Sequence, residues 1–291
     1  MNWSTIAQQI STATGRTFVV RAQRAVAGGC INNAVVIEDE DRSYFVKHNR
    51  AERLDMFRAE ATGLNELRRA QAVRVPQPIC WGVAGDDAFL VLEHFTLGGK
   101  SDGARLGREL ASLHRNTQTE FGWHLDNTIG STPQRNAPRR NWLEFWREQR
   151  LGFQLELAAR HGYRGRLLDR GQRLLADCGA LFANYAPTPA LVHGDLWSGN
   201  SATDVSGTPV LFDPAPYYGD RETDIAMTEL FGGFPPRFYS AYSEMYALDI
   251  GYPVRRTFYN LYHVLNHLNL FGGGYAGQAQ QMIDELLSEF S

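Results

Sequence analysis

Cysteine is scarce in this chain. Cys30, Cys80 and Cys178 are an odd number, and their spacing matches neither a metal knuckle nor a disulfide framework, so a reducing, cytoplasmic setting is expected. Long apolar runs are missing as well. Nowhere do 18 apolar residues stand together, and Met1 to Gly15 lacks a charged leader ahead of an apolar stretch, so no membrane association is expected. Positive charge is not in excess: the formal net charge is −3, and no Lys/Arg-rich stretch interleaved with aromatics offers a groove for nucleic acid. The one basic cluster, Arg135, Arg139, Arg140, Arg147 and Arg150, lies among Trp and Phe and reads as a solvated helix face. A Walker-type GxxxxGK[ST] loop and GxGxxG are both absent, which argues against a P-loop kinase, and no internal repeat or low-complexity tract occurs.

What remains is the composition of a folded protein with a sizeable core. With 43% hydrophobic and 21% charged residues over 291 positions, the chain is long enough for two lobes. Residues 3–14 carry Trp3, Ile6, Ala7 and Ile10 at helical spacing and stop at Gly15. The short β-branched and aromatic segments FVVRAQRAV, AVVIED and YFVKH then predict antiparallel strands. A helix follows from Arg50 to Ala72, halted before Pro76 and Pro78, and ICWGVA with AFLVLEHF predicts a hairpin around Gly85-Asp86-Asp87. Flexible residues 97–101 then lead into a mostly helical region, so the boundary is placed near residue 96: one lobe over 1–96 and a second over 97–291. Within the second, ALVHGD and PVLFDP read as short strands.

The chemistry concentrates after those two strands. In HGDLWSGN, Asp195 precedes Asn200 by five positions, and Asp213 follows thirteen later in PVLFDP. Phosphoryl transfer needs a carboxylate beside the attacking hydroxyl and oxygen ligands for a metal that bridges phosphates, and one loop turn can present both. Magnesium takes one or two protein carboxylates plus phosphate oxygens and water, so Asn200 and Asp213 suit it. Taken singly, Asp195 and Asp213 are also ordinary strand-end turn residues. In the first lobe Lys47 closes a strand and Glu60 stands thirteen residues on in the following helix, a spacing that allows an ion pair aimed at phosphates. Gly28 and Gly29, between two strands, let backbone approach phosphate, or simply make a hairpin turn.

Protein kinases arrange the same parts in the same order, and this chain resembles them with differences: His193-Gly194-Asp195 stands for His-Arg-Asp, Asp213-Pro214 for Asp-Phe-Gly, and no Ala-Pro-Glu follows. Such changes resemble the aminoglycoside phosphotransferase and choline kinase branch. More specifically, HGDLWSGN, FDPAPYYGDRETDIAMTELFGGF, DNTIGSTPQRN and NHLNLFGGGY resemble the fructosamine-kinase (ketosamine-3-kinase) family, from about residue 3 to the C-terminus. The resemblance implies an α+β, bilobal protein-kinase-like fold: a five-stranded antiparallel sheet plus a helix, then a mostly helical lobe. It implies ATP and Mg2+ as cofactors and phosphorylation of the 3-hydroxyl of a small-molecule or protein-bound ketosamine, in repair or in carbon use. An aminoglycoside- or choline-type kinase and a nucleotide-binding pseudokinase are the alternatives.

Carried onto this sequence, the resemblance makes Asp195 the catalytic base, Asn200 and Asp213 the metal ligands, and Lys47, supported by Glu60, the phosphate contact. Gly28 and Gly29 cover the phosphates, and Glu93-His94-Phe95 form the hinge whose backbone meets adenine. Trp197 either stacks on the sugar or amine or simply packs. His263, Asn266 and His267 share one helix face, as a polar substrate wall or as ordinary core and surface residues. Asp224 is expected to buttress the catalytic loop from a helix N-terminus. Cys30 in the phosphate loop is a candidate reactive thiol whose oxidation blocks nucleotide binding.

Overall fold

Helix α1 (Trp3–Thr14) begins where the Asn2 side chain accepts the Thr5 N–H at 3.3 Å. The computed structural model describes residues 1–26 and 31–290. They form two units, one of Met1–Asp102 with Ala202–Pro214, the other of Gly103–Ser201 with the chain from Ala215 onward.

In the first unit, strands β1 (Ala22–Val26), β2 (Asn33–Glu38), β3 (Ser43–Arg50), β4 (Pro78–Ala84) and β5 (Asp87–Glu93) build an antiparallel sheet in the order β1-β2-β3-β5-β4. Helix α2 (Leu54–Arg69) lies between β3 and β4 in sequence. One face of the sheet closes a core of Ile6 and Ile10 from α1 with Phe18, Ile37, Tyr44, Val46, Phe89 and Val91. Because strand side chains alternate, Val46 on this face sends Lys47 to the opposite one. Both faces of β5 are covered, and Ala88 to Leu92 is accordingly an unbroken buried apolar run.

Two expected boundaries move. The first strand starts at Ala22, because Phe18 turns inward as a core plug beneath the Arg42 guanidinium, 5.2 Å from its ring centroid. The helix starts at Leu54 because Arg50 is still paired with Asp87 in β3 and a 3-10 turn intervenes.

In the second unit, α3 (Gly103–Leu113) is followed by the hairpin β6 (Asn127–Ile129) and β7 (Thr132–Gln134). Helix α4 (Trp142–Trp146) passes through a π-helical turn, Arg147–Leu151, into α5 (Gly152–Arg160), and α6 (Arg166–Asp177) comes next. Strand β8 (Ala190–Val192) follows. After it the chain runs through β9 (Ser201–Thr203) and β10 (Pro209–Leu211), which pair with each other on the segment that returns to the first unit. Strand β11 (Tyr217–Gly219) then pairs antiparallel with β8. Helices α7 (Glu222–Leu230), α8 (Pro236–Met245), α9 (Tyr252–Phe271) and α10 (Ala276–Ser288) complete the second unit. Among the described residues no helix is long and apolar enough to cross a membrane.

The basic cluster is not one solvated face. Arg150 is fully buried, its guanidinium 4.6 Å from the Phe145 ring and 4.1 Å from that of Tyr217, and it donates to Arg135 O and Asn136 Oδ1 at 2.5 and 2.7 Å. Stacking on aromatic faces and bonding to fixed oxygens offset the loss of hydration, which a lysine cannot do as well.

Candidate active site

The first unit positions Lys47 through the sheet. Its Nζ lies 2.5 Å from Glu60 Oε1 on α2 and 2.5 Å from Asp213 Oδ1, just beyond β10. Burial alone would depress the Lys47 ammonium, but attraction to Asp213 and Glu60 outweighs it and holds the group above its ordinary value. Glu60 is pushed up by burial, eased by Lys47 and reinforced by the second carboxylate. Lys47 and Glu60 are buried, whereas the Asp213 side chain is 53% exposed, which leaves it able to reach a cation in solvent. Asp213 sits at φ +50°, a left-handed conformation that Asp tolerates better than bulkier residues.

The expected hinge residues are each engaged by side chain. Glu93 receives Arg74 at 3.3 Å and the Gln77 N–H at 3.2 Å, His94 Nδ1 meets Ser43 Oγ at 2.8 Å, and buried Phe95 lies under the Arg74 guanidinium at 4.4 Å. Gly28, Gly29 and Cys30 lie outside the described residues. Directly after them, Ile31 O and Asn32 Oδ1 are both held by Asn49 Nδ2 at 2.9 Å. Cys80 and Cys178 are free thiols, and burial pushes Cys80 up to about 12.

The second unit holds the loop after β8. Asp224, in the first turn of α7, accepts the backbone N–H of His193 at 2.7 Å and of Gly194 at 2.9 Å, as expected of a buttress. Burial acts to raise the Asp224 carboxyl, but hydrogen bonding from His114 (3.1 Å) and the backbone donors hold it below the usual range. Gly194 has φ +83°, and an added Cβ would collide with Ala215 O. Beyond it, Asn200 donates through Nδ2 to Asp195 O at 2.8 Å and to Asp195 Oδ2 at 3.1 Å. The amide oxygen of Asn200 is thereby turned away from Asp195. Asn200 oxygen and the Asp213 carboxylate are hard donors of the kind magnesium takes. Among the described residues no group of three or more His, Cys, Asp and Glu is placed to hold a metal ion.

Trp197 is 37% exposed and packs edge-on against Phe231 at 6.1 Å; Phe231 in turn lies 4.9 Å from His267. His267 also touches Phe271 and Tyr275, at 5.5 and 5.2 Å. His263 does not join this aromatic strip. It is buried against Tyr262, and burial pushes its imidazole down to about 3. Asn266 is likewise buried, accepting from Gln154 at 3.2 Å. Sequence reasoning missed Phe231 and His114. Phe231 stands just before the Gly232-Gly233 pair, a turn signal that could have marked it as a helix-end residue; nothing local marks His114.

A strand lysine paired to a helix glutamate, an Asp–Asn loop and a second Asp after a short strand define a phosphotransferase of protein-kinase-like fold. That fold is shared with the aminoglycoside phosphotransferase APH(4)-Ia, whose crystal structure matches at TM-score 0.58 and 13% identity, covering 100% of both chains. Within this class the chain belongs to the fructosamine kinase family, whose model matches residues 2–289. It is 49% identical over 288 residues to the Synechocystis protein named "Probable ketoamine kinase slr1563", covering 98% of this chain and 97% of the relative. It is 40% identical over 277 residues to the Oryza sativa subsp. japonica chloroplastic protein-ribulosamine 3-kinase, covering 94% and 81%. A Haemophilus somnus 129PT protein named "Putative fructosamine-3-kinase" has a crystal structure that matches at TM-score 0.90 with 30% identity, covering 98% of each chain.

Proposed function

We propose that this protein is an ATP-dependent kinase that phosphorylates the 3-hydroxyl of a ketosamine, with magnesium as the metal. Family membership and the relatives named ketoamine kinase and ribulosamine 3-kinase support the reaction. The observation that carries the chemistry is Lys47 held between Glu60 and Asp213.

In this reading residues 1–96 are the nucleotide-binding lobe and 97–291 the catalytic and substrate-binding lobe, with Asp213 returned to the first unit by the 202–214 segment. Glu60 keeps Lys47 oriented as Lys47 exchanges Asp213 for phosphate oxygens. Asp213 would offer magnesium a carboxylate and Asn200 an amide oxygen, and the ion would supply positive charge for the transferred phosphoryl group. The family resemblance alone assigns Gly28 and Gly29 to the phosphates, and backbone at Glu93-His94-Phe95 receives adenine, since those side chains are already committed. Asp195 orients the sugar hydroxyl and accepts its proton, while the Asn200 N–H keeps its carboxylate aimed. The ketosamine amine or sugar lies on the Trp197–Phe231–His267 strip, where the half-exposed indole favours apolar sugar faces and cations.

The test is Asp195→Asn. Turnover falls at least about 10³-fold while ATP affinity stays within about twofold, because the lost group acts on the acceptor proton. Undiminished turnover removes Asp195 from the chemistry, and lost ATP binding moves it to the nucleotide.

A further inference from the structure

The hairpin of β6 and β7 belongs to the DNTIGSTPQRN stretch, to which the reaction above assigns no role. Its two strand carboxamides, Asn127 and Gln134, and Asn136 just beyond it are all buried. Gln134 Nε2 donates to Ala215 O and to Asn127 Oδ1, both at 2.9 Å, and Asn127 Nδ2 donates to Pro216 O at 2.9 Å. Asn136 Nδ2 reaches Asn127 Oδ1 at 3.0 Å, and Asn136 Oδ1 takes the Arg150 guanidinium at 2.7 Å. Tyr262 OH donates to Gln134 Oε1 at 2.8 Å and so fixes which way that amide faces. Gln134, Asn136 and Arg150 are at most 1% exposed, and Asn127 and Tyr262 only 7% and 3%, so the links lie in the interior.

The clamped segment holds the catalytic loop. Ala215 N–H donates to His193 O at 2.9 Å, and Ala215 O is the atom against which Gly194 packs. Asp224 grips the other side of the same loop through the His193 and Gly194 N–H groups. The backbone just before Asp195 is thus fixed from two directions, by a carboxylate on α7 and by Ala215. We infer that Gln134 and Asn127 are positioning residues for phosphoryl transfer, setting the height of the Asp195 loop through Ala215 and Pro216. A purely apolar hairpin fills the same volume but leaves two carbonyls free to shift, and a displacement of about 1 Å at reacting groups can cost about 10²-fold in rate.

The inference rests on the kinase reading for its kinetic arm and on geometry alone for its exchange arm. Gln134→Met keeps the length and removes both hydrogen-bonding ends; Tyr262→Phe removes only the hydroxyl that orients Gln134. For Gln134→Met, kcat per folded molecule falls about 10- to 100-fold with both KM values within about twofold. Tyr262→Phe loses a smaller part of the same term, and Asn127→Leu added to Gln134→Met loses little more than either alone, since both act through one clamp. Hydrogen exchange at Gly194 and Ala215 rises about 10-fold or more in Gln134→Met while α10 is unchanged. Unaltered kcat in folded variants, a loss seen in KM instead, or unchanged exchange at Gly194 and Ala215 overturns the inference. If the wild type transfers phosphate to no ketosamine, the kinase reading fails, and the exchange comparison still decides whether the clamp exists.

Discussion

Replacing Asp224 by Asn tests the loop's support with a single atom pair. The carboxylate accepts two backbone N–H groups, 2.7 Å from His193 and 2.9 Å from Gly194, and contacts His114 at 3.1 Å. An amide has one oxygen. Whichever way the introduced amide turns, one of the two N–H groups meets an NH2 donor in a site that is 1% exposed. The loss is one charge-assisted hydrogen bond, about 1.5–3 kcal/mol, plus one buried donor left unsatisfied, about 1–3 kcal/mol, for a total of about 2.5–6 kcal/mol. For a unit of this size each kcal/mol moves Tm by about 2–4 °C, so the fall is roughly 10 °C. The assay is thermal unfolding at pH 7.5 beside kcat at a temperature where the variant is folded. A fall below about 3 °C would refute the argument, since it means that the loop relaxes to satisfy both donors. The carboxyl also has a sign in pH. Held below its usual range, it contributes stability present above the unfolded Asp value and lost as pH falls through the folded one.

Lys47→Met leaves Glu60 and Asp213 without their shared cation, and ATP-dependent turnover drops at least about 10²-fold; steady-state kinetics with retained far-UV dichroism check it. Trp197→Ala raises the ketosamine KM about 10-fold with kcat and ATP KM little changed, whereas an unchanged ketosamine KM assigns Trp197 to packing alone. His263 gives a pH signature. Its imidazole is held down to about 3 against an ordinary 6.5, so the unfolded chain binds more protons between those values and stability declines as pH drops through that window. A His263→Phe variant, unable to take up the proton, shows a shallower decline in urea midpoints from pH 7 to 4; an identical slope removes His263 as a contributor.

Much of the site was legible because its signals are local. The α1 limits follow from spacing and Gly15, and the Lys47–Glu60 pair follows from a strand and a helix close in sequence. What depends on distant partners was not legible. The 2.5 Å bond between Lys47 and Asp213 joins residues 166 positions apart. Which of five arginines is buried depends on a π-helical turn that rotates Arg150 inward and on Tyr217, from another strand. The asparagines and glutamine of DNTIGSTPQRN have the composition of an exposed turn, and only the carbonyls of Ala215 and Pro216 show why they are inside.

The central claim is tested most directly by following the γ-phosphate of ATP into a panel of ribulosamines, erythrulosamines, fructosamines, aminoglycosides and choline, with magnesium present or chelated and the product's phosphate position read by 31P NMR. The account predicts magnesium-dependent transfer to the 3-hydroxyl of one or more ketosamines. Transfer only to aminoglycosides or choline, or nucleotide binding with no transfer at all, would contradict it.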